Sequence, residues 1–326
     1  MNNELEKVFD KINLYDKEVL KKVFPESYLS SSEVWSSDKK VSDSFNGQIS
    51  TVNLFNGTQY EYVGKNKFLH FTSIDSLFKI LESGYIRMTD IFSLEDKSEL
   101  HFASQVLGEN YENEINLEGE NTYSFSACES NADNLISDYM WREYGDNFKG
   151  CTIEFSFSKT DFHKMNLGKI QYGDEKLEPI INLKKYSEEF WNNYGIKVNK
   201  FPIFLLKILA FHKESRFSNE NELRLLFHND NGQNHPNVMY ISCEKRGIKS
   251  FIKLPLKGRN EILENPNFDM DTKLYHSPQV EINRIFLGSN VLLENLQKFN
   301  SKVMRDFTTS KVEVWFNKNG ELVKLF

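Results

Sequence analysis

Phe68-Leu69-His70-Phe71-Thr72-Ser73 is the stretch that most constrains this chain. A short apolar run ends in a histidine and two hydroxyl residues, and then a different period takes over. Leu77, Ile80 and Leu81 recur at three and four residues, which predicts a helix, and Gly84 stands where a helix stops. Thr72 and Asp75 have the spacing of a capping box, with Asp in the place usually held by Glu or Gln. Tyr85–Met88 then reads as a strand. Later groups that could carry chemistry are read as partners brought to His70.

Further strand-like runs follow at Thr122–Ala127, Cys151–Phe157, Glu222–Phe227, Val280–Leu287 and Val312–Phe316, the last closing the chain. Cys151–Phe157 is the clearest, because Thr152, Glu154 and Ser156 alternate with apolar neighbours. Helices are expected over Ser98–Val106, Asn134–Tyr144, Lys184–Tyr194, Phe201–Lys213 and Val291–Phe299. Short strands interleaved irregularly with helices predict an α+β fold rather than a doubly wound parallel sheet.

The residues before Lys67 read differently. Leu5, Val8, Phe9, Ile12, Tyr15, Val19 and Val23 form one helical stripe, which Leu14 and Leu20 leave, and Pro25 ends it. Ser27–Ser44 is serine-rich loop, and Ile49–Phe55 with Gln59–Val63 reads as a hairpin around Asn56-Gly57. Residues 1–66 are thus expected to be an N-terminal helical arm with a loop and hairpin, and residues 67–326 a single α+β core domain.

Composition narrows the function classes. At 326 residues and 39% apolar, the chain has material for one large core. Its formal net charge of -7 repels polyphosphate, which disfavours non-specific duplex binding as the main role. Cys128, Cys151 and Cys243 form no Cys-x-x-Cys pair, so neither a disulfide framework nor a zinc knuckle is expected, and a cytoplasmic location is. The most apolar run, Phe201–Phe211, contains Lys207 and is far short of the roughly 20 residues that span a bilayer. No membrane association and no metal cofactor are expected.

Several blocks together resemble the bacterial family called domain of unknown function 2971. They are Leu69-His70-Phe71-Thr72-Ser73 through Ile86-Arg87-Met88, then Leu94-Glu95-Asp96-Lys97-Ser98-Glu99, then Ser124-Phe125-Ser126 with Met140-Trp141-Arg142-Glu143-Tyr144-Gly145 and Lys149–Phe155. Lys213, Phe217 and Glu220-Asn221-Glu222-Leu223-Arg224-Leu225 form the next, and Ile282–Gly288 a weaker one. In the second block Glu95 and Lys97 replace the family's asparagine and proline.

More distantly, the order His70, then Tyr123-Ser124-Phe125-Ser126, then Glu220-Asn221-Glu222 looks like an ADP-ribosyltransferase-like fold. That resemblance implies a central mixed or antiparallel split sheet of short strands with flanking helices. It also implies NAD as substrate, in a toxin or anti-phage defence setting. Cleavage of the nicotinamide–ribose bond leaves a sugar cation like that of glycoside hydrolysis. Glu222 would steady that cation, Glu220 would orient or activate the acceptor, and His70 would hold a ribose hydroxyl or the carboxamide. Ser124 and Ser126 would support Glu222, and Tyr123 or Trp141 would stack on nicotinamide. Thr72, Ser73, Tyr144 and Arg224 complete the expected nucleotide-binding set. The acceptor, whether protein, nucleic acid or water, and the oligomeric state are not legible.

Other readings stand beside this one. His70 also suits a core histidine, and Glu220, Glu222 and Arg224 suit a solvated strand face of alternating charge. A non-catalytic nucleotide-sensing module would use the same residues. A metal-dependent nuclease would use Asp96, Glu99 and Glu220, although Asp96, Glu99 and His101 at a turn more simply serve a helix N-terminus. Gly288-Ser289-Asn290 lacks the fuller glycine fingerprint of a phosphate loop and reads as a turn.

Overall fold

Strand β1 (Phe68–Thr72), helix α1 (Ile74–Ser83) and strand β2 (Tyr85–Asp90) form the unit that the Phe68 run predicts. The structure, a computed structural model, describes residues 10–27, 29–30, 44–46, 48–49, 54–91, 102, 122–157, 165–195, 197–199, 201–228, 238–243, 247–257, 278–292, 312–318 and 321–325. The helix begins one residue later than the capping-box spacing indicates. Ser73, not Thr72, is the N-cap, and its hydroxyl accepts from the Ser76 amide. Ser73 is extended and places its oxygen over the first turn, whereas Thr72 is still held in the strand ladder opposite Cys151. Gly84 ends α1 in the left-handed region at φ 72°, where a side chain would add strain. Leu77 and Leu81 are fully buried beneath the sheet. Truncating either to alanine would cost about 2–5 kcal/mol.

The remaining elements follow in order. They are β3 (Thr122–Glu129), α2 (Ala132–Leu135), α3 (Asp138–Glu143), β4 (Cys151–Phe157), β5 (Met165–Lys169), α4 (Glu178–Tyr194), α5 (Phe201–Leu209) and β6 (Glu222–His228). After these come β7 (Val238–Cys243), β8 (Gly247–Pro255), β9 (Val280–Leu287), β10 (Glu313–Lys318) and β11 (Glu321–Lys324). These eleven strands form one sheet in the order β7-β8-β2-β3-β1-β4-β9-β10-β11, with β6 on β3 and β5 on β6, and shorter strands pair outside it. The β9–β10 pair is parallel and the other pairs are antiparallel, so the sheet is mixed and the fold is α+β.

The sheet is forked at β3. One edge of β3 pairs along its length with β6, from Thr122↔His228 to Cys128↔Glu222. Its other edge is shared. β2 takes Tyr123 and Ser124, and β1 takes Cys128 and Glu129. The gap between them spans Phe125–Ala127.

Alternation along the strands gives the two sheet faces different cores. Phe68, Phe125, Phe155, Leu223 and Leu225 pack on one face with α1. On the other, Leu226 packs with Tyr60, Ile180, Leu206 and Phe211, and Leu69, Phe71 and Cys128 pack with Trp141. Ile12, Tyr15, Leu20 and Phe24 lie in the same buried cluster as Phe211 and Leu226, and the Tyr15 hydroxyl reaches Ser187 of α4 at 2.9 Å. Leu20 is fully buried although it leaves the helical stripe. Asp16–Leu20 is a π-helical segment, and the wider turn rotates Leu20 onto the packed side.

Several expected elements differ. Asn134–Tyr144 is two short helices, each opened by its own cap, Asn131 and Ser137. The expected helix to Lys213 stops at Leu209, and His212–Lys213 instead pairs in parallel with Gln171–Tyr172. Gln59–Val63 is not a strand, and Phe55–Gly57 is turn. Leu29–Ser30 pairs with Gln48–Ile49. The chain's last described strand is Glu321–Lys324, after the Val312–Phe316 run. Residues 94–101, most of the Ser98–Val106 helix, the loop after Ser30 and the helix after Leu292 lie outside the described residues.

Candidate functional site

The polar groups that converge do so at the start of β6. The 3-10 turn Ser215–Glu220 leads into Asn221, whose φ of 45° is left-handed, and β6 begins at Glu222. Glu220 therefore does not lie on the strand with Glu222, as the two-residue spacing alone would have it. The reversal at Asn221 brings the two carboxylates to a common point by a different route. That point is the ammonium of Lys213, which lies 2.7 Å from Glu220 Oε2 and 2.7 Å from Glu222 Oε2. The parallel pairing of His212–Lys213 with Gln171–Tyr172 fixes Lys213 there.

Each carboxylate has further donors. Glu222 Oε1 accepts from the Ser126 hydroxyl at 2.5 Å and from Arg224 Nε at 2.8 Å. Glu220 Oε1 accepts from the Tyr144 hydroxyl at 2.5 Å. The Glu222 amide donates to the Tyr172 hydroxyl at 2.8 Å, and Arg224 Nη1 donates to the Ala210 carbonyl at 2.6 Å. Lys213, Glu220, Glu222 and Arg224 are all buried, so they are not a solvated strand face. Tyr144 is 44% exposed and marks where the network meets the surface.

The environments push the two acids apart. Burial penalises the Glu222 carboxylate, but Arg224, Lys213 and the Ser126 hydroxyl more than offset it and hold the group down to about 2. Burial dominates at Glu220 and moves it above the ordinary carboxylate range, against Lys213 and Tyr144. Burial together with Glu220 also raises the Tyr144 phenol. One acid is thus held ionised while its neighbour is easier to protonate, a division of roles that carboxylate-pair enzymes use.

The sequence-predicted residues fall into two groups. Glu220, Glu222, Ser126, Arg224 and Tyr144 are brought together. His70 is not. Leu69, Cys128 and Glu222 stand side by side across β1, β3 and β6, so His70, one residue on, faces the opposite side of the sheet. Its ring lies 4.9 Å from that of Phe125 and its Nδ1 is 3.1 Å from the Ser126 carbonyl, inside the fork. A carbonyl can only accept, so Nδ1 carries the hydrogen. Burial lowers the His70 pKa. Thr72 and Tyr123 share the face of His70, and Tyr123 lies against Phe227. Ser73 is engaged as a cap. Trp141 is buried, donates to the Leu135 carbonyl and meets Phe71 edge-on, so it is core rather than a platform. Ser124 is opposite Leu226 rather than Glu222, and its buried hydroxyl has no partner among the described residues.

Sequence reading gave no role to Lys213, Tyr172 or Asn221. The apolar period through Phe201–Phe211 hid Lys213 by extending a helix across it. A lysine ending an apolar run seven residues before a Glu-x-Glu was the available signal. Asp96, Glu99 and His101 lie outside the described residues. Among those described, no three His, Cys, Asp or Glu side chains are grouped to hold a metal ion, and no helix is long and apolar enough to cross a membrane. Cys128 and Cys151 are free and buried, and burial raises the Cys128 thiol to about 12.

Comparison with known proteins gives one match. The model of a family described as a protein of unknown function, DUF2971, matches residues 140–225. The resemblance to this family holds over that span, which contains Tyr144, Tyr172, Lys213, Glu220, Glu222 and Arg224. No curated protein and no solved structure matches the chain.

Proposed function

We propose that the chain consumes NAD, transferring the ADP-ribose moiety to a macromolecule or to water. The observation that supports this reading is the pair of buried acids with divergent environments, one of them braced by Ser126. In the reaction, the bond between nicotinamide nitrogen and the anomeric carbon breaks, and its electron pair leaves with neutral nicotinamide. The sugar cation left behind is stabilised by ionised Glu222, fixed in position by Ser126 and Arg224. An acceptor hydroxyl or water then forms the new bond to the anomeric carbon and passes its proton to Glu220. A carboxylate with a raised pKa is the better base of the two. His70 has no part in these steps, because it faces the other side of the sheet. Substrate would approach past Tyr144, displacing its hydroxyl from Glu220.

The test is release of nicotinamide from NAD, followed by chromatography. Glu222→Gln, with folding checked by circular dichroism, should lower release by about a hundredfold or more. Release that is the same in the folded variant would remove Glu222 from its role.

A second reading is a nucleotide-sensing module without turnover. It is favoured by the occupancy of the site, since every oxygen of both carboxylates already has a donor. Calorimetry with NAD, ADP-ribose and mononucleotides separates the two. Binding with no nicotinamide release supports the module, and silence toward all of them removes it.

A further inference from the structure

The Lys213 ammonium sits between two buried carboxylates and beside an aromatic ring. Its Nζ is 2.7 Å from one oxygen of each glutamate and 5.5 Å from the centre of the Phe217 ring. Two carboxylates and an aromatic ring around one ammonium form a setting that suits a cation. Arg224, the second cation here, is 1% exposed and tied to the Ala210 carbonyl as well as to Glu222, so it stays. Lys213 is also buried, at 4% exposure, but it hangs on a flexible four-carbon stem and adjoins half-exposed Tyr144 through Glu220.

We infer that this charge cluster takes an organic cation, the pyridinium end of the substrate, and that this cation replaces the Lys213 ammonium between Glu220 and Glu222. The choice of pyridinium rests on the NAD reading above. The argument for a cation rests on charge. Glu220 and Glu222 are balanced by Lys213 and Arg224. A cationic ligand exchanges for the ammonium with the balance kept. A neutral or anionic ligand that displaced it would strand buried carboxylates without a counter-charge, which is costly. Oxidised NAD would therefore be accepted and its reduced form, with an uncharged dihydropyridine, refused. Lys213 holds the site closed until a cation arrives.

The probe is the ring-N-methylated pyridinium derivative of nicotinamide, which has no ribose bond to break, compared with neutral nicotinamide by calorimetry on the full chain. The cation should bind about tenfold or more tightly than the neutral ring. In the same samples, acylation of Lys213 by a succinimidyl ester, read by mass spectrometry, should rise when the cation is added and stay unchanged with nicotinamide. Equal affinities, no binding of the cation, or a Lys213 that stays protected while the cation is bound would each overturn the inference. Nicotinamide release from NAD is scored separately. Release without binding of the probe sinks only the exchange of cations, and binding of the probe without release sinks only the reaction.

Discussion

His70 and Glu222 face opposite sides of one sheet, although Leu69, the neighbour of His70, stands in register with Glu222 across β3. A one-residue offset thus separates the two groups that sequence order had joined. The consequence for function is direct. His70→Ala should leave nicotinamide release within a few-fold of the parent, while lowering stability by about 1 kcal/mol through loss of the hydrogen bond to the Ser126 carbonyl. Turnover assays and denaturant titrations on the same preparation check both parts.

Lys213 is the shared counter-charge of two buried acids. Lys213→Met should cost about 3–5 kcal/mol of stability, because it leaves buried carboxylates short of a partner. Adding Glu220→Gln should recover part of that loss, since one of the stranded charges is then gone. A double-mutant cycle in urea measures the coupling, and additive effects would contradict the shared contact.

Acid should act through Glu222. Its pKa in the folded chain, about 2, lies below the ordinary carboxylate value of 4.5. The folded state therefore binds this proton less readily than the unfolded chain does. The stabilising contribution is complete above about pH 4.5 and is lost as pH falls from there toward 2. The gap in unfolding midpoint between the parent and Glu222→Gln should accordingly be widest near neutrality and narrow as pH is lowered from 5 to 3. Glu220, with its raised pKa, works in the opposite sense, losing rather than gaining stability as it ionises.

Asn221 is the hinge that lets two acids from different elements meet. At φ 45° it can be replaced by glycine without strain, but not by a β-branched residue. Asn221→Gly should keep the Lys213 contacts with little change in stability. Asn221→Val should cost about 1–2 kcal/mol and pull Glu220 away from Lys213. Carboxyl-detected NMR titration should then show the Glu220 pKa rising further, because Lys213 no longer holds it down against burial.

Asp146, Asn147 and Phe148 are consecutive left-handed residues at φ 49°, 50° and 64°. Three such residues in a row are unfavourable unless tertiary contacts hold them. Phe148 stacks on Trp141 at 6.3 Å between centroids, and its carbonyl accepts from the Asn290 amide. This same carbonyl abuts Gly288 so closely that a side chain there has no room. Asn147→Gly should be neutral or stabilising by up to about 1 kcal/mol, whereas Phe148→Gly should destabilise by loss of ring packing. Thermal midpoints distinguish the two.

What could be seen beforehand depended on period. Cys151–Phe157 has the bounds its alternation predicts, and Val280–Leu287 has the bounds read for it, although an irregularity between Ile282 and Arg284 breaks its alternation. Met165–Lys169 and the hairpin of Val238–Cys243 with Gly247–Pro255 went unseen. The first is five residues long and has only Met165 and Leu167 in its apolar row, and the hairpin mixes exposed apolar residues on both faces. The resemblance implied that Ser124 and Ser126 support Glu222, and of the two only Ser126 reaches it, because Ser124 stands opposite Leu226. The role of Lys213 was not read, because the apolar period of Phe201–Phe211 carries a helix across it, whereas a two-residue pairing with Gln171–Tyr172 fixes its place. Nor can local pattern say which sheet face a histidine takes, because the register between β1 and β3 decides it.

Ser126 is gripped twice, its hydroxyl by Glu222 on one face and its carbonyl by His70 within the fork. Among the described residues no strand backbone pairs with that part of β3 on the forked edge, and the imidazole hydrogen-bonds to it there. The two sides of the sheet are thereby mechanically joined through a single peptide unit. The ring on one face and the carboxylate on the other thus hold the same residue from two sides.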